Sequence, residues 1–156
     1  MRKKKNHQRN IGKDLKYENT NIAKLINNLM LAGNKGTVEK FIYKALIEVA
    51  KITGATDISL MFEKIMSNVN VSHELRSRRV GGATYQVPKV LEEYRSISRT
   101  IKFLVKNIRK ISGKTLDEAI KIVLLDAYNK TGNIYSAYVN LSTEVESNRV
   151  NAVYRW

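Results

Sequence analysis

The sequence predicts a mainly α-helical fold, a bundle of about six helices with a two-stranded β-ribbon inserted between the third and the fourth. Three observations carry that expectation. Six segments repeat apolar residues at the spacing of one buried helix face. A single Gly-Gly dipeptide separates two runs with strand-like spacing. With 156 residues and 43% apolar composition, the chain can bury one core, so one helical domain is the plain expectation.

Residues 1–18 hold seven cations, Arg2, Lys3, Lys4, Lys5, Arg9, Lys13 and Lys16, with two acids and little apolar content. This reads as a basic N-terminal arm, disordered alone and suited to settle on RNA, or else as a frayed terminus without a partner. Residues 19–156 are expected to form the helical domain.

In the first helix Ile22, Leu25, Ile26, Leu29 and Met30 share a face, and Gly33 stops it. Thr37 reads as the N-cap of the second, which buries Phe41, Ile42, Ala45, Leu46, Val49 and Ala50 and ends at Gly54. Asp57 caps the third, with Ile58, Met61, Phe62, Ile65 and Met66 inward. Methionines and phenylalanines at this spacing are core.

The ribbon is expected at about 69–90. Val69, Val71, Leu75 and Val80 lead into Gly81-Gly82, and Tyr85, Val87 and Val90 lead out. Glycine accepts the positive φ that tight hairpin turns require. Pro88, the only proline, has no backbone donor, so its strand is an edge or ends there. A lone two-stranded ribbon is marginal in water. Carrying Arg76, Arg78 and Arg79 beside its turn, it makes most sense docked on an anion.

The fourth helix, about Glu92 to Ile111, buries Ile97, Ile101, Leu104, Val105 and Ile108. Its other side gathers Arg95, Arg99, Lys102, Lys106, Arg109 and Lys110, with no acid from Arg95 to Lys110. A solvated outer face mixes charges through i,i+4 pairs. Six unneutralised cations instead favour phosphate contact. Thr115 and Glu118 form a capping box for the fifth helix, which buries Leu116, Ala119, Ile120, Val123, Leu124 and Ala127 and is closed by Gly132. Ile134, Tyr138, Leu141 and Val145 suggest a sixth helix.

Charge points to the partner. Twenty-eight Lys and Arg against fourteen Asp and Glu leave a net +14, which implies an anion, most often nucleic acid. Arginine suits phosphate because its planar fork donates two parallel hydrogen bonds. Tyr85 could stack on an RNA base or pack across the ribbon, and both stay open. Lys35, between Asn34 and Gly36, reads as a glycine-flanked turn that phosphate can approach. The runner-up is a small basic helical DNA-binding protein with the fourth helix in a groove, which requires a symmetric dimer.

Other classes are disfavoured. Without cysteine there are no disulfides, thiol chemistry or cysteine-held metals. No apolar stretch approaches the roughly 20 residues of a spanning helix, so no membrane partner is expected. The basic start lacks the apolar region of a secretory signal. His7 and His73 are the only histidines, and no metalloprotease pair, phosphate-binding glycine loop or nucleophile elbow is present. Glu92 and Glu93 are adjacent and point to different faces. Neither an enzyme nor a cofactor is expected.

The string R-S-R-R-V-G-G-A-T-Y-Q-V-P, Arg76 to Pro88, resembles the signature of the small-subunit ribosomal protein S seven family. Leu25 to Gly36 is similar to that family's first helix and basic turn, Leu124 to Gly132 to its fifth helix, and Tyr154-Arg155-Trp156 to its ending. The resemblance implies a structural protein that binds small-subunit rRNA, nucleates assembly of the subunit head and lies near the exit tRNA site and the mRNA path. It implies neighbouring head proteins and ribosomal protein S eleven as partners. By the same resemblance Arg76, Arg78, Arg79, Tyr85 and Gln86 fall in the exit-site ribbon, Lys35 in the basic turn, and Arg155 and Trp156 in the tail.

The chain departs from bacterial relatives in Lys89-Val90-Leu91-Glu92-Glu93-Tyr94, where they continue basic and proline-containing, and in Glu144 and Glu146 of the last helix, where they are lysine-rich. Lys, Asn and Ile, which have AT-rich codons, fill 48 of 156 positions. Bias and drift together lean toward an organelle-encoded protein of the mitochondrial matrix, with bacterial cytoplasm and plastid as alternatives.

Overall fold

A computed structural model describes residues 11–154. Among them are α1 Thr20–Leu29, α2 Lys35–Thr53, α3 Ile58–Asn68, β1 His73–Val80, β2 Ala83–Val90, α4 Glu93–Lys110, α5 Leu116–Asn129, α6 Gly132–Ser147 and a closing 3-10 helix, Arg149–Tyr154. The predicted mainly α fold with its ribbon between the third and fourth helices is the observed one. Arg2, Lys3, Lys4, Lys5, Arg9, Arg155 and Trp156 lie outside the described residues.

The helical stripes converge on one core. Ile22, Ile26, Ile42, Leu46, Phe62, Ile101, Leu104, Ile120 and Leu124 are fully buried, each contributing about 1.5–3 kcal/mol relative to exposure. α5 is central and touches α2, α3, α4 and α6, while α1 packs on α2 and α4. Met30, Phe41, Ile58, Ile97 and Leu116, expected inside, are half-buried and close the core from its edge. α6 is peripheral. Only Ile134 is buried on it, and Leu141 and Val145 are half-buried beside the base of the ribbon.

Three helix boundaries differ from expectation. α1 ends at Leu29 with Met30 as its cap, short of the expected stop at Gly33. α2 begins at Lys35 rather than after a Thr37 cap, because Gly36 sits in the first turn, where little packing is lost to it. Asn34 stands at the cap position, and its carbonyl accepts the Val38 N–H at 3.4 Å. Gly132 does not close α5; Lys130, in the left-handed region at φ 57°, does, and Gly132 opens α6. Gly132 (φ 70°) lies under Asp126, whose Oδ2 would be 2.1 Å from an added Cβ. The Thr115–Glu118 capping box is present.

The stretch expected as a free arm is tied down within its described part. The buried Asp14 carboxylate accepts the backbone N–H groups of Lys16 and Tyr17 at 3.2 Å and the Tyr43 hydroxyl at 2.6 Å. Burial, then Asp14's hydrogen bond and charge, push the Tyr43 phenol well above its ordinary range. The Tyr17 ring meets Tyr43 edge-on at 5.6 Å, and the Tyr17 carbonyl accepts from Ser59 of α3.

Buried polar groups set the ribbon on α4. Thr100 Oγ1 accepts the Val71 N–H at 3.0 Å, and Ser96 Oγ donates to Asn70 Oδ1 and lies 2.9 Å from the Val71 carbonyl. Asn70 and Val71, just ahead of β1, are thereby fixed to the bundle, and the ribbon leaves it in one direction.

Candidate nucleic-acid interface

On a helix of 3.6 residues per turn, the six α4 cations fall within an arc of about 100°. All six are exposed, on the side away from Ile101, Leu104 and Ile108. They differ in what they meet. Arg109 Nη2 donates to the Asn28 carbonyl at 3.1 Å and the Leu29 carbonyl at 3.3 Å, which are orphan acceptors at the end of α1. Arg99 Nη2 pairs with Glu74 Oε1 of β1. Arg95 donates to Tyr94 Oη at 2.7 Å and lies 3.9 Å from Glu92; the Tyr94 hydrogen bond first, then nearby negative charge, raises its guanidinium further.

The expectation of six unneutralised cations is therefore corrected. The acids that pair with Arg95 and Arg99 lie outside the acid-free run, on the residue before α4 and on the ribbon. Lys102, Lys106 and Lys110 keep no ion-pair partner among the described residues. With Arg109, Asn28 and Val105 they line an open cleft of about 370 Å³ that contains no acid.

The ribbon turns at Gly81 and Gly82, with φ 58° and 90°, the positive values a two-residue hairpin requires. Its antiparallel register pairs Arg76 with Val87, Ser77 with Gln86, Arg78 with Tyr85 and Arg79 with Thr84. Pro88 stands within β2, opposite Leu75, on one of the two edge strands of this small sheet. Successive strand residues point to opposite faces. Arg76 and Arg78 thus share a face, and Arg79 is on the other, so the three arginines are not one cluster.

The C-terminal 3-10 helix backs β2. Tyr85 and Tyr154 stack with centroids 4.9 Å apart, Arg78 Nη1 donates to the Tyr154 carbonyl, and Asn151 Nδ2 donates to the Gln86 carbonyl at 3.1 Å. Tyr85 thus packs on the 3-10 helix rather than across the ribbon, a contact that neither of its two expected roles named. The Gln86 amide donates across the ribbon to Ser77 Oγ at 3.0 Å.

Lys35 is the first residue of α2 rather than part of a loop, and it pairs with Glu39 at 3.6 Å. It lines a small cleft with Lys13 and Asn27 of α1. That cleft also holds Asp14 and Glu39, so its charges balance, whereas Asn28, next along α1, lines the lysine cleft of α4. The Lys16 ammonium is 5.3 Å from the Tyr17 and Tyr43 ring centroids.

A third hollow, of about 400 Å³, opens where the ribbon meets α4. It is lined by Arg76, Tyr94, Arg95, Arg99 and Lys102, with Glu74 among them. Glu74 escaped the sequence reading. The available signal was its place two residues before Arg76, on the same face of a basic strand.

The structure thus gathers α4, the ribbon and the end of α1 around two cation-lined hollows, an arrangement fitted to a polyanion. A family model described as ribosomal protein S7p/S5e matches residues 1–149. The chain is 37% identical over 155 residues to small ribosomal subunit protein uS7 of Borrelia turicatae, covering 99% of each chain. It is 37% identical over 156 residues to that of Helicobacter hepaticus, covering all of both, and 38% identical over 149 residues to that of Pelobacter propionicus, covering 96% and 95%. With the whole fold spanned by these matches, the chain belongs to the ribosomal protein S7p/S5e family.

Proposed function

We propose that this protein is a structural constituent of the small ribosomal subunit that binds small-subunit rRNA through α4, the ribbon and the end of α1. The observation that carries the site is the row Lys102, Lys106 and Lys110, which has no ion-pair partner among the described residues. At 1.5 Å rise per residue, positions four apart stand about 6 Å apart along the helix. Such a row offers successive point charges to a phosphate backbone. Lys13, Lys35 and the ribbon arginines extend the surface, and the terminal cations Arg2, Lys3, Lys4, Lys5 and Arg9 add charge to it. No catalytic role is assigned, in keeping with a family of structural ribosomal proteins. No observation favours the DNA-binding alternative.

The finer placement follows the ribbon signature and the tail. By the family signature the ribbon with Arg76, Arg78, Arg79, Tyr85 and Gln86, and the tail residues Arg155 and Trp156, belong near the exit tRNA site and the mRNA path, and the protein nucleates the subunit head beside other head proteins and ribosomal protein S eleven. Support for this is the match of those residues to the family's signature. For compartment, the bias to Lys, Asn and Ile supports a mitochondrial origin, whereas the named relatives are bacterial.

The test is binding of a small-subunit rRNA fragment by the wild type and by K102Q/K106Q/K110Q across a salt series. Each lost phosphate contact lowers the log–log salt slope by about 0.9. An unchanged slope would remove α4 from the interface. Co-sedimentation of the native protein with small subunits tests the assembly itself.

A further inference from the structure

The hollow between the ribbon and α4 is lined by four cations, Arg76, Arg95, Arg99 and Lys102, yet one carboxylate sits inside it. Glu74 Oε1 pairs with Arg99 Nη2 and lies 3.8 Å from Arg76 Nε. Lys89 is its cross-strand partner, and Arg95 and Lys102 line the same hollow. Glu74 is the only acid among the residues lining this hollow. Its side chain is 22% exposed, so it is partly withdrawn from water and still reachable from outside.

A carboxylate between two guanidinium groups uses the contacts that a phosphodiester oxygen would use, since both anions accept parallel N–H donors from the arginine fork. Lys102, Lys106 and Lys110 have no ion-pair partner among the described residues, and the cleft they line with Arg109 holds no acid. The basic surface therefore has one open part and one part already occupied by the protein's own acid.

We propose that Glu74 is a specificity-determining residue for RNA binding. It holds the anion position between Arg76 and Arg99 in the free protein and yields it only to an RNA whose shape delivers a phosphate there while its backbone lies along the α4 lysines. An RNA that cannot reach both places finds the position between Arg76 and Arg99 already filled and gains only the remaining cation contacts. Discrimination then comes from an acid placed against weak partners as much as from cations that attract the right one. This proposal rests on the rRNA-binding function above and assigns its selectivity.

The experiment compares wild type with Glu74→Gln, which keeps length and hydrogen-bonding capacity and removes the charge. Two probes are titrated over a salt series: a small-subunit rRNA fragment that the wild type binds, and poly(A)·poly(U) duplex as non-cognate RNA. Glu74→Gln should bind the duplex several-fold more tightly, with the log–log salt slope for the duplex steeper by about 0.9, one added phosphate contact. Affinity for the rRNA fragment should change less, so the ratio between the two falls. An unchanged ratio and slope, or a parallel loss on both RNAs, overturns the proposal and leaves Glu74 a strut between ribbon and helix.

Should Glu74→Gln detach the ribbon, the unmodified protein supplies the second measurement. The Glu74 carboxyl carbon resonance should shift when the rRNA fragment is added and stay in place with the duplex. A resonance unmoved by the rRNA fragment overturns the proposal. Failure of the proposal leaves wild-type binding of the rRNA fragment intact. Failure of the rRNA-binding function abolishes that binding and takes the proposal with it.

Discussion

The ring of Tyr85, on the second strand of the ribbon, lies against the ring of Tyr154 with centroids 4.9 Å apart and 29° between their planes. This stack, the Arg78 contact to the Tyr154 carbonyl and the Asn151 contact to the Gln86 carbonyl give a two-stranded ribbon a second layer. Tyr154→Ala should lose about 0.5–1.5 kcal/mol of that docking. Hydrogen exchange in residues 83–90 should accelerate while the helical circular dichroism stays unchanged. Equal exchange in both proteins would mean that the tail does not hold the ribbon.

Asp14 makes the N-terminal segment part of the fold. Deleting residues 1–10 leaves its contacts to Lys16, Tyr17 and Tyr43 in place, whereas deleting residues 1–18 removes them and strips Tyr17 from the core. The shorter deletion should keep the urea midpoint. The longer one should cost about 1–3 kcal/mol, the penalty for a part-buried hydroxyl left without its charged partner.

Arg109 and Lys106 are neighbours on the α4 stripe with different duties. Arg109→Met should lower stability by about 0.3–1 kcal/mol, because the last carbonyls of α1 lose a cationic donor. Lys106→Met should stay within about 0.5 kcal/mol of wild type, as exposed substitutions do. Urea denaturation of the two variants checks this, and equal losses would contradict it.

Asp117 supplies a pH dependence. Hydrogen bonds from Lys44, at 2.5 Å, and then from Thr115 hold its carboxyl at about 2, below the ordinary 3.8. A depressed carboxyl stabilises the fold above its unfolded value and loses that contribution as pH falls through the folded one. Wild type and Asp117→Asn should therefore differ in urea midpoint above about pH 4 and converge as pH approaches 2. The carboxyl carbon resonance of Asp117 should titrate with a midpoint near 2.

What was legible in the sequence was local. The Thr115–Glu118 box and the Gly81-Gly82 turn are written within a few residues, and the helical stripes need only their own period. Thr37 misled because glycine at Gly36 is tolerated in a first turn as readily as in a loop. The duties of the cations were illegible, since their partners are far along the chain: Glu74 for Arg99, Asn28 and Leu29 for Arg109, Tyr154 for Arg78. A helical wheel gathers six charges on one side but says nothing of which are already engaged.

The tail has a consequence in time. Asn151 reaches back 65 residues to Gln86, and Tyr154 reaches back 76 to Arg78. During synthesis, which runs from the N-terminus, α1 to α5 can meet while these last residues are still unmade. The ribbon is then a bare hairpin, marginal until its final layer arrives. The part of the surface that carries the family signature is thus completed last, after the helical body has formed. A nascent chain that has not yet emerged in full presents the lysines of α4 to RNA before it presents a settled ribbon.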